Sequence, residues 1–281
     1  MIINKNANAT TPLYDLSAGD ARLCITKGNS KVGKGIYTIS TLPGNSENLL
    51  TINGPAGKIL LTSVPGTCSK HCAGCFNGGC YAVNSARLHH NAVVPAWAAN
   101  TLLLRSGKFF EEVEAFIAKK NAKYAKTGDL KDASVRTFRI NVSGEIQNVS
   151  ELEGWNKIAL KHPEVMFGIY TKNYEALEEF MKKHGESAPN FVINVSQWHG
   201  VASEFLAKYP GKFNVFEYDD SQLKSSKLAA EDVVRLAKLP HCPAVTASGK
   251  HAKNAAGEDI TCDHCGRCYR KTGATTAVYA H

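Results

Sequence analysis

Four closely spaced cysteines are the feature of the sequence best suited to chemistry. Cys68, Cys72, Cys75 and Cys80 lie in TCSKHCAGCFNGGCYA, residues 67–82. Thiolates bind soft metals, and a bound metal ion keeps them deprotonated. The first three have the spacing C-x3-C-x2-C, which can occupy three corners of a 4Fe–4S cubane. Cys80 then either closes the site as a fourth ligand or leaves one iron open to a substrate. Zinc is the alternative, although closed zinc sites usually combine two well-separated pairs.

A second cysteine group lies near the C-terminus. Cys262, Cys265 and Cys268 have the spacing C-x2-C-x2-C in TCDHCGRCYRKTG, and Cys242 precedes a proline in HCPAV. Three close cysteines completed by a remote Cys-Pro resemble the ligation of ferredoxin clusters. Zinc is again the alternative, because Cys242 and a C-x2-C pair are about as far apart as in many zinc ribbons. Cys24 lies in a segment with the alternating pattern of a strand, and we expect it to be a buried, small apolar residue.

Short β-branched and aromatic runs alternate with helical patterns along most of the chain. This alternation predicts parallel strands with right-handed crossovers, either in an open doubly wound sheet or in a barrel of βα units. No glycine-rich phosphate loop follows the first run, which disfavours a dinucleotide-binding fold. We therefore expect an α/β protein with a partial (βα)6 barrel. The predicted strands cover residues 58–64, 135–144, 165–172, 190–196, 212–218 and 243–248.

Three segments are predicted around this barrel. Residues 1–57 form an N-terminal β-hairpin extension, and residues 58–248 form the barrel that carries the first cysteine group. Residues 249–281 form a C-terminal cysteine-rich segment that completes a second metal site with Cys242. Because the first cysteine group follows the strand predicted over 58–64, we expect it at the carboxyl ends of the strands, where such folds place their chemistry.

Polar residues end the third and fourth predicted strands. In a barrel they would converge on the cysteine loop and could bind a ligand with a carboxylate and hydroxyl groups. The ordinary alternative for the lysine among them is a solvated side chain. No catalytic residue is singled out. The four residues are Thr171, Lys172, Asn194 and Ser196.

The composition indicates a folded protein, and the charge pattern indicates which classes of partner it could bind. Of 281 residues, 43% are apolar, and no run approaches the roughly eighteen apolar residues of a membrane helix. The N-terminus lacks the apolar core of a signal peptide, so we expect a cytoplasmic protein without membrane contact. In a cytoplasmic protein, clustered thiols more often bind metal than form disulfides. The net charge of +8 leaves nucleic acid as a minor alternative partner, since acids lie between the scattered lysines.

The first cysteine motif, placed after the first strand of a six-unit βα barrel, resembles that of the radical S-adenosylmethionine enzymes. The resemblance implies that Cys68, Cys72 and Cys75 hold a 4Fe–4S cluster. The open iron of that cluster would chelate the methionine moiety of S-adenosylmethionine, and electron transfer would cleave the cofactor to a 5'-deoxyadenosyl radical. It also implies a partner that supplies electrons, such as a flavodoxin or a ferredoxin.

A second mark of that family is a Gly-Gly-Glu-like motif at the end of the second strand, which receives the methionine amino group. Ser143, Gly144 and Glu145 occupy this place in RINVSGEIQ. The ordinary alternative is a strand-end turn with a solvated glutamate. One position departs from the family: Gly74 stands where an aromatic residue usually precedes the third cysteine, and Phe76 follows it.

A resemblance that covers most of the chain is to the phage-associated gene product 88 family. It implies a protein of the host cell cytoplasm and indicates that Cys80 belongs to the site. The label implies no reaction. The segments that carry the resemblance are GNSKVGKGIYTISTLP, the cysteine loop ending in Cys80-Tyr81-Ala82, FRINVSGEI, NFVINVS and CDHCGRCY.

Two functions follow as hypotheses. The first is an enzyme with one or two 4Fe–4S clusters that cleaves S-adenosylmethionine reductively and starts radical chemistry on an unknown substrate. The second is a non-catalytic metalloprotein, a phage-encoded binding or structural module in which both four-cysteine sites are closed by zinc or by a cluster. Whether Cys80 binds the metal discriminates between them.

Overall fold

The computed structural model describes residues 1–279, except 30–31, 128–134, 199, 224–225, 227 and 249. Its centre is a seven-stranded sheet in the order β11-β10-β9-β8-β7-β4-β3. The strands of this sheet are β3 (Ile25–Asn29), β4 (Gly33–Ile39), β7 (Thr137–Ile140), β8 (Met166–Thr171), β9 (Phe191–Gln197), β10 (Asn214–Asp219) and β11 (Thr275–Tyr279). Two small antiparallel pairs lie outside it, namely β1 (Ile2–Ile3) with β2 (Tyr14–Asp15), and β5 (Thr51–Gly54) with β6 (Gly57–Leu60).

Six strands of the sheet are parallel and follow one another in chain order, from β4 to β11. Strand β3 is antiparallel to β4 and forms one edge. The expected mixed α/β class is confirmed. Among the described residues the sheet does not close into a barrel, because β3 and β11 are its edges.

The helices confirm the segments of helical period. Helices α5 and α6 begin where Asn148 and Asn173 accept a hydrogen bond from the backbone N–H of Glu151 and Ala176, which satisfies a donor that the helix itself cannot pair. The helices are α1 (Ala73–Asn77), α2 (Tyr81–Leu88), α3 (His90–Arg105), α4 (Phe109–Thr127), α5 (Val149–Lys161), α6 (Tyr174–His184), α7 (Ser203–Lys208), α8 (Ala230–Ala237) and α9 (Cys262–Cys265).

The core lies between one face of the sheet and the helices. Side chains alternate along a strand, so Phe167 and Ile169 of β8 enter this core while Gly168 and Tyr170 point to the other face. Trp155 of α5 is fully buried against the rings of the central strands. When parallel strands run in chain order without reversal, right-handed crossovers place all their helices on the same face. The opposite face must therefore be covered by something else.

The C-terminal segment covers that opposite face. The ring of Tyr269 lies over Gly168, where an added Cβ would come within 2.6 Å of it. Asn194 donates from Nδ2 to the carbonyl of Cys268 at 3.1 Å. Asn214 Oδ1 accepts hydrogen bonds from the backbone N–H of Thr272 and Gly273. Two strand asparagines thus tie the cysteine-rich segment to the sheet.

Two predicted strands are wrong. Residues 58–64 lie partly in β6, which pairs with β5 in a hairpin apart from the main sheet, and the first parallel strand is β4, within the predicted N-terminal extension. Residues 243–248 form turns, and the sixth parallel strand is β11. Both errors have one cause: short β-branched runs predict extended backbone, but strand pairing is decided by distant contacts.

Of the described helices, none has the length and apolarity of a membrane span.

We predict that Asn214→Ala loosens the C-terminal segment. The asparagine is buried and also donates from Nδ2 to the carbonyl of Arg270 at 2.9 Å, so its loss leaves several backbone groups unpaired. We expect the free energy of unfolding to fall by about 2–4 kcal/mol, with faster hydrogen exchange at residues 270–273. Urea unfolding and exchange mass spectrometry measure these effects. The exposed Asn91→Ala serves as the control, and equal effects of both substitutions would contradict the assignment.

Candidate functional site

A cavity of about 270 Å³ opens at the carboxyl ends of the parallel strands. All eight clustered cysteines line it, and they are Cys68, Cys72, Cys75, Cys80, Cys242, Cys262, Cys265 and Cys268. None of the nine cysteines of the chain forms a disulfide. The two cysteine groups, about 160 residues apart in sequence, therefore share one space.

The first cysteine group is held against the end of β4 by backbone and hydroxyl contacts. The N–H of Cys68 donates to the carbonyl of Gly44 at 2.8 Å, and the Gly44 N–H donates to Cys68 Sγ at 3.2 Å. The hydroxyls of Thr41 and Thr67 are hydrogen-bonded at 2.8 Å, and Thr67 Oγ1 also accepts from the N–H of Glu145. These contacts place the cysteine loop beside the Ser-Gly-Glu turn.

The four thiols of this group lie in two hydrogen-bonded pairs. The bond between Cys68 and Cys72 raises the pKa of Cys68 well above its usual value and lowers the pKa of Cys72. The bond between Cys75 and Cys80 likewise raises the pKa of Cys75, while that of Cys80 falls to about 6. Cys80 lies at the start of α2, where backbone N–H groups also favour its thiolate. In each pair, one thiol therefore has a lowered pKa and ionises more readily than its partner.

A buried acid and a buried lysine stand beside these thiols. Glu145 accepts backbone N–H groups from Ile146 and Lys172, each at 2.8 Å, and Cys72 Sγ donates to its Oε2 at 3.8 Å. Burial raises the pKa of Glu145. Burial also opposes the charge of Lys172, but the sulfurs of Cys75 and Cys72 together with Glu145 more than offset this, so the pKa of Lys172 is raised. The ammonium thus balances the negative charge of the thiolates.

Gly144 gives the turn its shape. Its φ is +81°, in the left-handed region that favours glycine, and an added Cβ would lie 1.9 Å from Thr41 Oγ1. The turn can follow β7 so closely only because no side chain stands at this position. Ser143, the residue before it, is buried, and its hydroxyl has no hydrogen-bond partner in the described part of the chain.

The second cysteine group lies on the sheet face opposite helices α4 to α7. Cys262 and Cys265 bound α9, and Cys268 follows in a short 3₁₀ helix, Arg267–Tyr269. The N–H of Cys242 donates to the carbonyl of Ala277 in β11 at 2.8 Å. Burial raises the pKa of Cys268 to about 11. The charge of Arg139, on β7, lies close enough to interact with Cys262 and Cys268.

The donor set fits a soft metal or a cluster of soft metals, which thiolates prefer. Within the described part of the chain, no three His, Cys, Asp or Glu side chains converge as the ligands of one metal ion do. The thiols of the first group line the cavity wall in two pairs instead. Cys68, Cys72, Cys75 and Cys80 are the residues that could hold a group at the first position, and Cys242 with the C-terminal three could hold one at the second.

The other residues expected to bind a cofactor are brought together only in part. Five line the cavity, and they are Ser143, Gly144, Glu145, Lys172 and Ser196. Thr171 is buried, and its Oγ1 accepts the N–H of Asn173, which supports the strand end. Asn194 donates hydrogen bonds from Nδ2 to the carbonyls of Ile169 and Cys268. These two residues shape the site without lining it.

Sequence reasoning missed several residues of the cavity wall. Arg139, Tyr170, Phe216 and Tyr269 all line it. Tyr170 follows the core residue Ile169 on β8, so the period of two could have assigned it to the other face. Phe216 gave a weaker signal, because its neighbour Val215 is only half-buried. For Arg139 the signal was an arginine inside an apolar strand, TFRI. Tyr269 gave no such signal, because it ends a short 3₁₀ helix outside any strand.

A further buried acid, Glu151, lies behind the Ser-Gly-Glu turn in α5. It is 5% exposed and accepts the N–H of Gln147 at 2.9 Å. Burial, together with the negative charge of Glu145, raises its pKa from 4.5 to about 8, although the Gln147 hydrogen bond opposes the shift. The carboxyl is therefore neutral at pH 7.

We predict that Cys80 is the most acidic thiol of the first group. In the reduced, metal-free protein, alkylation of Cys80 should rise with a midpoint near pH 6, measured by peptide mass spectrometry. Lys172→Met should move this midpoint upward, because Lys172 favours the thiolate. The exposed Lys108→Met should leave it unchanged. A Cys80 that reacts only above pH 8 would refute the assignment.

We predict that Glu151 makes the protein less stable as pH rises. Its folded pKa lies above the unfolded value, so the folded state loses stability between about pH 4.5 and 8 as the buried carboxyl is forced to ionise. The loss is on the order of a few kcal/mol. Denaturant unfolding between pH 5 and 8.5 should show a smaller decline for Glu151→Gln than for the parent protein. Glu111→Gln, at an exposed position, should follow the parent curve; parallel curves for all three proteins would contradict the prediction.

Comparison with known proteins gives one match. The profile of the family described as Gene product 88 matches residues 16–271, which confirms the resemblance to that phage-associated family. No curated protein and no solved structure matches the chain. The resemblance to radical S-adenosylmethionine enzymes gains no support from these comparisons.

Proposed function

We propose that this chain, which belongs to the gene product 88 family, is an iron–sulfur protein that binds and reductively cleaves S-adenosylmethionine. The observation that carries the proposal is that all eight clustered cysteines line one cavity together with Glu145. Such a cavity, at the carboxyl ends of parallel strands, is where α/β folds place their chemistry.

The strand order supports the finer fold on which the proposal depends. Parallel strands in chain order, without reversal, are the arrangement of a barrel of βα units, whereas a doubly wound sheet reverses its order. We interpret β4 and β7 to β11 as an open partial barrel of six strands. The first unit is then β4, and the cysteine loop still follows it along the chain, after the hairpin of β5 and β6.

In this proposal the first cysteine group holds a 4Fe–4S cluster through Cys68, Cys72 and Cys75. When bound, the cluster supplies the electron that cleaves S-adenosylmethionine to methionine and a 5'-deoxyadenosyl radical, and a flavodoxin or ferredoxin supplies that electron in turn. The lowered pKa of Cys72 and of Cys80 and the charge of Lys172 support metal binding, since only thiolates are ligands.

The chain's own residues orient the methionine moiety. Two backbone N–H groups fix the Glu145 carboxylate at the cavity wall, where it would accept the amino group of the cofactor. Lys172 would face the carboxylate of the cofactor, and the free hydroxyl of Ser143 would donate to it. The stacked rings of Trp198 and Tyr218, 3.9 Å apart at the cavity wall, offer a surface for adenine in place of the aromatic residue absent at position 74.

The second cysteine group is proposed to hold an auxiliary cluster, with zinc as the alternative. Cys242, Cys262, Cys265 and Cys268 supply four thiols, the number that closes a structural site. A group there would also brace the C-terminal segment on the sheet face opposite the large core.

One observation favours a second function. Cys80 is hydrogen-bonded to Cys75, so it lies close enough to the first group to act as a fourth ligand. A site with four thiolates has no open iron and makes the protein a non-catalytic metalloprotein, with zinc or a closed cluster as a structural element.

Metal analysis distinguishes the two classes of metal. After anaerobic purification we expect about eight irons and a matching amount of sulfide per chain, as two cubanes require. Cys80→Ala should keep this iron content if three thiolates hold the first cluster, and Cys24→Ala, outside the cavity, is the matched control. Two zinc ions without sulfide would refute the iron–sulfur proposal, and loss of half the iron in Cys80→Ala would establish the closed site.

Cofactor cleavage tests the enzymatic part. With dithionite and S-adenosylmethionine, we expect 5'-deoxyadenosine and a change in the electron paramagnetic resonance spectrum of the cluster. Glu145→Gln should retain iron but bind the cofactor at least tenfold more weakly, because a neutral amide loses the ionic partner of the amino group. Glu111→Gln should behave as the parent. A loaded protein that yields no 5'-deoxyadenosine and has an unchanged spectrum does not use this cofactor.

A further inference from the structure

Several polar groups on the cavity wall are buried and have no hydrogen-bond partner among the residues that the structure describes. All of them can donate a hydrogen bond. A buried donor left unpaired costs about 1–3 kcal/mol, so several of them in one cavity indicate a ligand rich in acceptors. They are Arg139 Nε, Arg267 Nη1, Asn141 Nδ2, the Tyr269 hydroxyl and the Ser143 hydroxyl.

The charges of the cavity wall also indicate a ligand rich in hydrogen-bond acceptors. Apart from the thiols, its ionic side chains are three cations, Arg139, Lys172 and Arg267, and one acid, Glu145. Glu145 and Lys172 interact with each other beside the first cysteine group. The two guanidinium groups lie with the second cysteine group and, among the described residues, no carboxylate forms an ion pair with either. Guanidinium groups bind carboxylate and phosphate through parallel N–H donors.

Aromatic side chains give the cavity a flat apolar wall beside these donors. The guanidinium of Arg139 lies 4.7 Å from the ring centre of Tyr170, which holds its plane in place. Tyr170 meets Phe216 edge to face at 4.9 Å, and both rings line the cavity. The wall is mostly apolar, so the ligand it suits has an apolar or planar body and one anionic end.

We propose that the cavity binds a small organic anion, whose carboxylate or phosphate is held by Arg139 and Arg267 and whose body lies along Tyr170 and Phe216. The hydroxyl of Tyr269 donates to the same anion. This inference names the substrate class of the proposed enzyme and rests on that function for the reaction. The binding itself can be measured in the absence of any turnover.

A competing role for Arg139 is to balance the charge of the second cysteine group, because it interacts with Cys262 and Cys268. The two roles differ in what they require. Charge compensation needs only a cation nearby, whereas recognition of an anion needs free donors on the cavity wall. The unpartnered Nε of Arg139 and Nη1 of Arg267 favour recognition.

Titration calorimetry with the protein as purified, without reductant or S-adenosylmethionine, tests the proposal. The probes are benzoate and phenyl phosphate, with neutral benzamide as their matched control. We expect at least one anion to bind at millimolar concentration and benzamide to bind at least tenfold more weakly. The more tightly bound anion identifies the substrate end as a carboxylate or as a phosphate. Arg139→Met and Arg267→Met should each weaken anion binding at least tenfold, while the exposed Arg22→Met changes nothing.

Three results would overturn the inference. They are the absence of binding by either anion, equal binding of benzoate and benzamide, and unchanged anion binding in both arginine variants. An Arg139→Met protein with unchanged anion affinity and a shifted reduction potential of the second cluster would assign the arginine to the sulfurs. Anion binding that both variants lose, in a protein that forms no 5'-deoxyadenosine, would support the anion site while refuting the proposed function.

Discussion

The structure depends on the parallel pairing of strands in chain order. Parallel strands need long crossovers, and right-handed crossovers in an unreversed order put the crossover helices α4 to α7 on one face of the sheet. The helix-bearing face carries the large core around Trp155. The other face would stay exposed, and it is covered by a segment with little secondary structure, anchored by Asn194 and Asn214. All carboxyl strand ends meet at one edge, where the first cysteine group lies, and the second cysteine group lies over the face that the C-terminal segment covers.

Electrostatic balance is the second constraint on the cavity. Eight thiols in a space of about 270 Å³ cannot all ionise in a low-dielectric site unless cations stand beside them. Lys172 and Arg139 supply positive charge, one beside each cysteine group. Buried acids in the same region respond to the same environment: the pKa of Glu145 is raised, and that of Glu151 reaches about 8. Burial therefore raises the pKa of the acids, whereas the nearby sulfurs offset the cost of burying the charged lysine and arginine.

Local signals in the sequence predicted most helices and four of the six parallel strands. The runs that became β7 to β10 are flanked by strong helical patterns, so each sits in a clear βα unit. The runs at 58–64 and 243–248 have similar residues but lack that context. Strands β4 and β11 pair with partners about 100 and 60 residues away in sequence, a choice that no local pattern can express.

The sequence by itself determined the spacing of the two cysteine groups, the Ser-Gly-Glu turn after a strand and the α/β class, because each depends on residues near one another in the chain. Only the tertiary structure brought Cys68 and Cys262 to one cavity, placed Arg139 beside Tyr170 and paired Cys75 with Cys80. Protonation, unpaired donors and cavity shape arise from contacts between distant segments and from the exclusion of water. Spacing along the chain does not contain them.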